Sequence, residues 1–361
     1  MGMKNYSWPH TIRIILFSCL IGGSAGVIGT ALTTSYLSEY ALELNDLTEP
    51  LRLTQERPRA LPKDYEDALE RMEERALPTI GTLIKQALLV ESGVSVSESD
   101  IPVIALTSDG WALSTDGRVG DVVSWGTQSC EVDEVVNEPM FDFDFIHCAT
   151  SNVPVIDIAS GYSITAGDQL FIATSGTAFV FTQAQTVVWG DALRFSDLPS
   201  RRILLEGESS IVRGSAVFNV FGELVGVVHE SAEGVEVIPF EYLSGAFTQV
   251  LESAPVISYP SLGVRGIDLA HAVGVSSELT RGYHAGVVLY GSRAVERGGS
   301  AQIAGLLEED ILLSVEGVTI NGTYTLDDLL AYYSAGESIR IEIDRQGTRQ
   351  EVVVTLGELA L

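Results

Sequence analysis

The sequence predicts a mainly β protein in two compact units behind one apolar segment. Three observations carry this. Short β-branched or aromatic runs, punctuated by Gly, Asp, Asn and Ser, follow one another from Thr79 to Glu230. Residues 254–260 hold two prolines, Pro255 and Pro260, after which strand and turn signals begin again. Residues 14–37 are uncharged and mostly apolar. A chain of 361 residues, 46% hydrophobic, is long enough to build two cores.

Taken from the N-terminus, residues 1–13 carry Lys4 and Arg13, and the run Ile14–Leu37 is long enough to cross a bilayer as a helix. Glu39, Glu43, Asp46 and Glu49 follow before the next basic residue, Arg52. The positive-inside bias places residues 1–13 in the cytoplasm and everything after Leu37 outside, in a periplasm or at a cell surface. A cleaved signal peptide would have a shorter apolar region and a small-x-small site, which does not stand out here. Residues 38–63 are polar, contain Pro50, Pro58 and Pro62, and read as a linker. A net charge of −28 excludes nucleic acid and electrostatic docking on anionic lipid, since both need a basic surface.

The first unit spans residues 64–253. Tyr65, Leu69 and Met72 sit at helical spacing between Asp64 and Arg75. Strands are expected at Thr79–Gln86, Ile101–Leu106, Gly120–Trp125, Cys130–Val136, Phe143–Cys148, Gln169–Thr174, Ala178–Trp189 and Val217–Glu230. So many short antiparallel strands imply a sandwich or barrel. Phe240, Leu243, Phe247, Val250 and Leu251 form the apolar stripe of a closing helix. Cys130 and Cys148 are equidistant from Pro139, so a hairpin centred there would oppose them within bridging range. A disulfide and two buried thiols both fit that reading. After the linker at 254–260, residues 261–361 form the second unit, with strands at Leu262–Ile267, Gly286–Tyr290, Ser338–Asp344 and Glu351–Leu356. Ile311–Val315 is an apolar run, and a helix over Leu326–Tyr333 is introduced by a near capping box, Thr325 to Asp328. No cysteine–histidine cluster has metal spacing and no glycine loop is placed to hold a phosphate, so neither metal nor cofactor is expected.

Several segments, in order, resemble the HtrA/Deg-type proteases. Leu106-Thr-Ser-Asp-Gly-Trp-Ala-Leu113 resembles the strand-turn-strand that delivers the catalytic histidine, and Asp142-Phe-Asp-Phe-Ile-His-Cys148 the strand that carries the catalytic aspartate. Asp168-Gln-Leu-Phe-Ile-Ala-Thr-Ser175 and Val237-Ile-Pro239 match further family segments. Val217-Phe-Asn219 and Gly222-Glu-Leu-Val-Gly226 fit the strands after the nucleophile. Gly299-Ser-Ala-Gln-Ile-Ala-Gly305, continuing to Gly317, is similar to the signature of the family's PDZ domain. The resemblance implies a trypsin-like double β-barrel over 64–253 and an α+β PDZ domain over 261–361, behind a transmembrane helix.

The chemistry of that family needs a hydroxyl, an imidazole to take its proton and a carboxylate to orient the imidazole. Here the histidine position falls on Gly117 and the nucleophile position on Arg213; Asp142 alone matches. An arginine stays protonated and is no nucleophile. Ser215, two positions late, is the fallback nucleophile. His147 and His229 read as core or surface histidines.

In the second unit the resemblance makes Leu262, Gly263 and Val264 a carboxylate-binding turn whose amides converge on a peptide C-terminus, with Leu326, Leu329, Leu330 and Tyr333 facing the peptide. It implies a membrane-anchored pseudoprotease that binds protein C-termini or unfolded segments in envelope protein quality control or scaffolding. A homo-trimer or a hetero-oligomer with active homologues would suit the family. The alternative is an active serine endopeptidase with a non-standard site.

Overall fold

The computed structural model describes residues 61–85, 101–174, 178–206, 211–231, 234–254 and 256–359. All of them fall in one compact unit, Glu56–Leu361. The apolar run 14–37 and most of the linker lie outside the described residues. Among the described residues no helix is long and apolar enough to cross a membrane.

The chain is mainly β. A helix, Tyr65–Arg71, opens it, with the Asp64 side chain accepting the N–H of Asp67 at its first turn. Seven strands follow: β1 Ile80–Ile84, β2 Ile101–Ala105, β3 Trp111–Ser114, β4 Val122–Trp125, β5 Gln128–Glu131, β6 Glu134–Glu138 and β7 Phe143–His147. They form one sheet in the order β5-β4-β1-β2-β3-β7-β6. Then come β8 Gln169–Thr174, β9 Ala178–Val188, β10 Leu193–Phe195, β11 Arg202–Leu205, β12 Ala216–Asn219, β13 Leu224–Ser231 and β14 Gly234–Pro239. All but β10 close a barrel in the order β11-β14-β13-β12-β8-β9. The helix Glu241–Leu251 packs below, burying Tyr242, Leu243, Ala246, Phe247 and Val250.

The period-2 alternation of these strands sorts their side chains into two cores. On β8, Leu170 and Ile172 enter the barrel interior with Ile203, Val217, Val225 and Val237. Phe171, between them, points the other way and joins Phe143, Phe145, Phe218, Phe240 and Phe247 in a second cluster. That aromatic layer joins the first sheet, the barrel and the helix.

Cys130 and Cys148 are joined by a disulfide, but not across the hairpin that the sequence suggested. The run Cys130–Val136 is split in two. Cys130 lies on β5 and pairs with Val123 of β4, while β6 meets β7 with Glu134 opposite His147 and Glu138 opposite Phe143. The hairpin is therefore centred beyond Pro139, and the bond links the far edge of the sheet to the end of β7.

The C-terminal strands are β15 Pro260–Ser261, β16 Arg265–Asp268, β17 Val287–Leu289, β18 Ile311–Val315, β19 Val318–Thr319, β20 Ser338–Arg345, β21 Thr348–Thr355 and β22 Gly357–Glu358. β15 pairs with β22, and the larger sheet runs β10-β16-β17-β18-β20-β21, with β19 on β18. Its edge strand β10 comes from within residues 64–253, between two barrel strands. A short helix, Leu326–Leu330, is opened by a complete capping box between Thr325 and Asp328.

A buried polar seam joins the segment leading into β11 and the helix Glu241–Leu251 to the short helix Leu326–Leu330. Arg201 and Asp328, 2% and 0% exposed, form an ion pair at 2.7 Å. Asp328 also accepts the Tyr242 hydroxyl at 2.6 Å, and the Arg201 guanidinium lies 4.9 Å over the Tyr162 ring. Ser200 donates its N–H and its hydroxyl to Asp327, both at 2.7 Å. A buried charge is tolerated only when paired and hydrogen-bonded like this.

Candidate functional site

The loops around the first sheet and the barrel bring two of the three triad-equivalent positions into contact. Asp142 sits just before β7 with a left-handed backbone, φ 58°. Arg213 sits in the loop before β12. Its Nη2 donates to the carbonyl oxygens of Phe141 and Asp142, 2.7 Å each, and its Nη1 lies 3.5 Å from the Asp142 carboxylate. The guanidinium also lies 5.2 Å over the Phe143 ring. Asp142's side chain is 81% exposed, so the ion pair contributes little and the carbonyl bonds do most of the holding. Arg213 thus fastens the loop before β12 to the turn before β7.

Beside Arg213, a Cβ added to Gly214 would stand 3.0 Å from Thr115 Cγ2, two residues before Gly117. The carboxylate that reaches Gly117 is Asp144, not Asp142: Asp144 Oδ2 accepts the Gly117 N–H at 2.8 Å, while its Oδ1 accepts Asn137 Nδ2 at 3.1 Å. Asp144 lies in the same Asp-Phe-Asp run, and nothing in the sequence separates the two carboxylates. A Cβ on Gly117 would come within 2.5 Å of Ile146 Cγ2. The space into which an imidazole would have to grow is therefore filled.

Ser215, the fallback position, is not placed to act as a nucleophile. It is 1% exposed, so its hydroxyl cannot meet a peptide bond. Its carbonyl accepts the N–H of Val228 at 2.9 Å. Alternation along β13 then puts Ser215 with Val228 on one face and His229 on the other. His229 stacks edge-on to Phe141 and Phe143. His147 is held by Asp133 at 2.6 Å and packs on Trp111. The amides of Gly214 and Ser215 donate to the carbonyls of Val228 and Val212, so neither is free to bind an oxyanion.

The expected peptide groove holds a different surprise. Leu262, Gly263 and Val264 form a turn with Gly263 at φ +73°, a conformation that favours glycine. Its amides already hold a carboxylate. Leu262 N–H donates to Asp197 Oδ1 at 2.9 Å, and Gly263 N–H reaches both Asp197 oxygens at 3.1 Å. Ser261 Oγ adds a bond to Oδ2 at 2.7 Å, and Val264 N–H donates to Ser196 Oγ at 3.2 Å. Upstream, β10 lies antiparallel on β16, with Phe195 opposite Arg265 and Leu193 opposite Ile267. Leu326 faces the cleft beside Arg194 and Phe195. Leu330 and Tyr333 line a small neighbouring cavity with Tyr242 and Tyr259. Leu329, 1% exposed, is core. No sequence signal singled out Asp197 or β10, because a three-residue strand inside a polar stretch has no readable period.

The fold these elements build is that of the HtrA-type proteases. The solved structure of the HtrA-type protease AlgW with a tripeptide superposes with a TM-score of 0.53 at 18% identity, covering 81% of this chain and 97% of that one. AlgW with a decapeptide gives 0.50 at 17% identity, covering 82% and 99%. No protein-family model matches the sequence, and no curated protein matches it.

Proposed function

We propose that this chain is a pseudoprotease: a membrane-anchored relative of the HtrA proteases that binds protein C-termini or unfolded segments outside the cytoplasm without cutting them. The observation that carries the first half is that Arg213, at the position the sequence resemblance assigns to the nucleophile, is committed to the Phe141 and Asp142 carbonyls. A permanently protonated guanidinium cannot attack a carbonyl carbon. The filled space beside Gly117 and the burial of Ser215 support the same reading. Losing nucleophile and base together costs on the order of 10⁶ in turnover, even where an oxyanion hole remains.

The binding half rests on reading residues 261–361 as a PDZ domain. The Leu262–Val264 turn presents converging amides, and the adjacent strand β16 accepts another strand, the mode known as β-augmentation. Two structural neighbours were solved with peptides bound. Residues 14–37 would anchor the protein with residues 1–13 in the cytoplasm. In that place it would serve envelope protein quality control or scaffolding, as a trimer or beside active homologues.

Incubation of the full-length protein with unfolded casein and with a fluorophosphonate probe tests the catalytic half. No cleavage and no labelling are expected. Labelling that disappears in Ser215→Ala would overturn the reading.

A further inference from the structure

The geometry points to residues 193–197 as a built-in ligand of the C-terminal groove, and to the groove's preference for a strand that ends in a carboxylate and carries a basic residue two or three positions earlier. The inference rests on reading the Leu262–Val264 turn as a carboxylate-binding turn.

Each part of a bound peptide has its counterpart in the chain itself. The strand is β10, running antiparallel to β16 toward the turn. Ser196 N–H donates to the Val264 carbonyl at 2.9 Å, continuing the ladder to the turn. The terminal carboxylate is supplied by the Asp197 side chain, which takes two backbone amides and one hydroxyl. An anion held by converging N–H groups in a turn is the arrangement by which free C-termini are captured.

The side chains say what else the groove reads. Arg194 forms an ion pair with Asp268, and both are largely buried. Asp268 Oδ2 also faces His271 Nδ1 at 3.0 Å, and the His271 ring stacks on Trp189 with centroids 4.0 Å apart. Arg194 Nη1 donates to Ser200 Oγ at 2.8 Å. Asp268 is 2% exposed, so a ligand without a cation there would leave a buried carboxylate with only His271 and the Ala270 N–H as partners. Phe195, in contrast, is 54% exposed, with the Arg265 guanidinium 5.2 Å over its ring. The basic position therefore carries specificity and the aromatic one does not.

Because this ligand is tethered, its effective concentration is on the order of millimolar. A competing C-terminus sees its affinity reduced by the fraction of molecules whose groove is open. The partner we infer is a protein whose free C-terminus has an arginine or lysine two or three residues from the end. Its binding would release β10 and loosen the segment that leads to Ser200 and Arg201 in the buried seam.

The test uses the full-length protein, Asp197→Ala and the isosteric Asp197→Asn. The probe is a peptide with the sequence of residues 188–196 and a free C-terminal carboxylate, measured by fluorescence anisotropy. It is compared with its C-terminal amide and with a form carrying Glu in place of the Arg194 equivalent. Hydrogen exchange over residues 260–266 is followed in the same samples. In the unaltered protein these amides should exchange slowly; in Asp197→Ala they should exchange at least tenfold faster, with Asp197→Asn between. The probe should bind Asp197→Ala at least tenfold tighter than the unaltered protein, and the amide and Glu forms at least tenfold more weakly. Exchange that is already fast in the unaltered protein, or is unchanged by Asp197→Ala, overturns the built-in ligand and leaves the peptide-binding reading standing. Faster exchange with no binding of any probe overturns the groove's specificity together with the peptide-binding reading. Equal binding of the Arg and Glu forms overturns the specificity alone.

Discussion

Gly117→Ala adds one methyl group at the position that the sequence resemblance aligns with the catalytic histidine, and that methyl has nowhere to go. Its Cβ would stand 2.5 Å from Ile146 Cγ2, well inside van der Waals contact, and 3.7 Å from Asp144 Cβ. Ile146 is 1% exposed, lies in the middle of β7 and packs with Val103, Ala112 and Val123. A β-branched Cγ2 moves only with its backbone or by leaving its rotamer, so relief must come from shifting a strand. Overpacking of this kind costs about 1–3 kcal/mol. Ile146→Ala alone leaves a cavity and costs about 2–5 kcal/mol. The double substitution should cost less than the sum by about 1 kcal/mol or more, because the new methyl then occupies vacated space. Urea unfolding of the four proteins, with the slope of each transition checked for constancy, measures the coupling. Additive costs would refute the claim that Ile146 fills the imidazole's place.

Three further outcomes follow from buried groups. Burial pushes the Glu241 carboxyl up from 4.5 to about 7, against the opposing hydrogen bond from Ser160. A raised carboxyl binds its proton more tightly in the folded state, so its stabilising effect is full below about 4.5 and is lost as pH rises through about 7. Glu241→Gln should therefore match the unaltered protein at pH 4 and exceed it by up to about 3 kcal/mol at pH 8, as read from denaturant midpoints across pH. A constant difference would refute the assignment. Arg201→Met leaves the fully buried Asp328 carboxylate without its cation and should destabilise by roughly 3–5 kcal/mol, seen as a large fall in Tm. A fall no larger than that of an exposed control such as Arg340→Met would contradict the role of the seam. Reducing the Cys130–Cys148 bond, which closes a separation of 18 residues, should cost about 3 kcal/mol in denaturant unfolding with and without reductant.

What could be read from the sequence was what repeats or what a motif marks. The run at Gln169–Thr174 appears as a strand with those bounds, the apolar run Ile311–Val315 is also a strand, and the stripe that begins at Phe240 is a buried helix face. The capping box at Thr325 was legible because two short polar side chains at fixed spacing suffice to make it. What stayed hidden depended on partners distant in sequence. Cys130 could be given a hairpin partner only by assuming an unbroken strand, and the break at Val132 and Asp133 moved it to β5. Asp144 could not be told from Asp142 until the Gly117 amide was seen to choose it. β10 was the largest omission, and it matters most for function. Residues 193–195 carry too few side chains for a period, and they are held as a strand by pairing with β16 and by Asp197 just beyond its end. On the proposed reading, Arg213 and Asp197 are two cases of one arrangement, in which a charged side chain of the chain itself stands where a reacting or bound group would. The two are held differently. Arg213 donates to two backbone carbonyls, and the aligned histidine position is Gly117, so removing Arg213 would restore no catalytic base. Asp197 accepts from the amides of Leu262 and Gly263, which another carboxylate could take in its place.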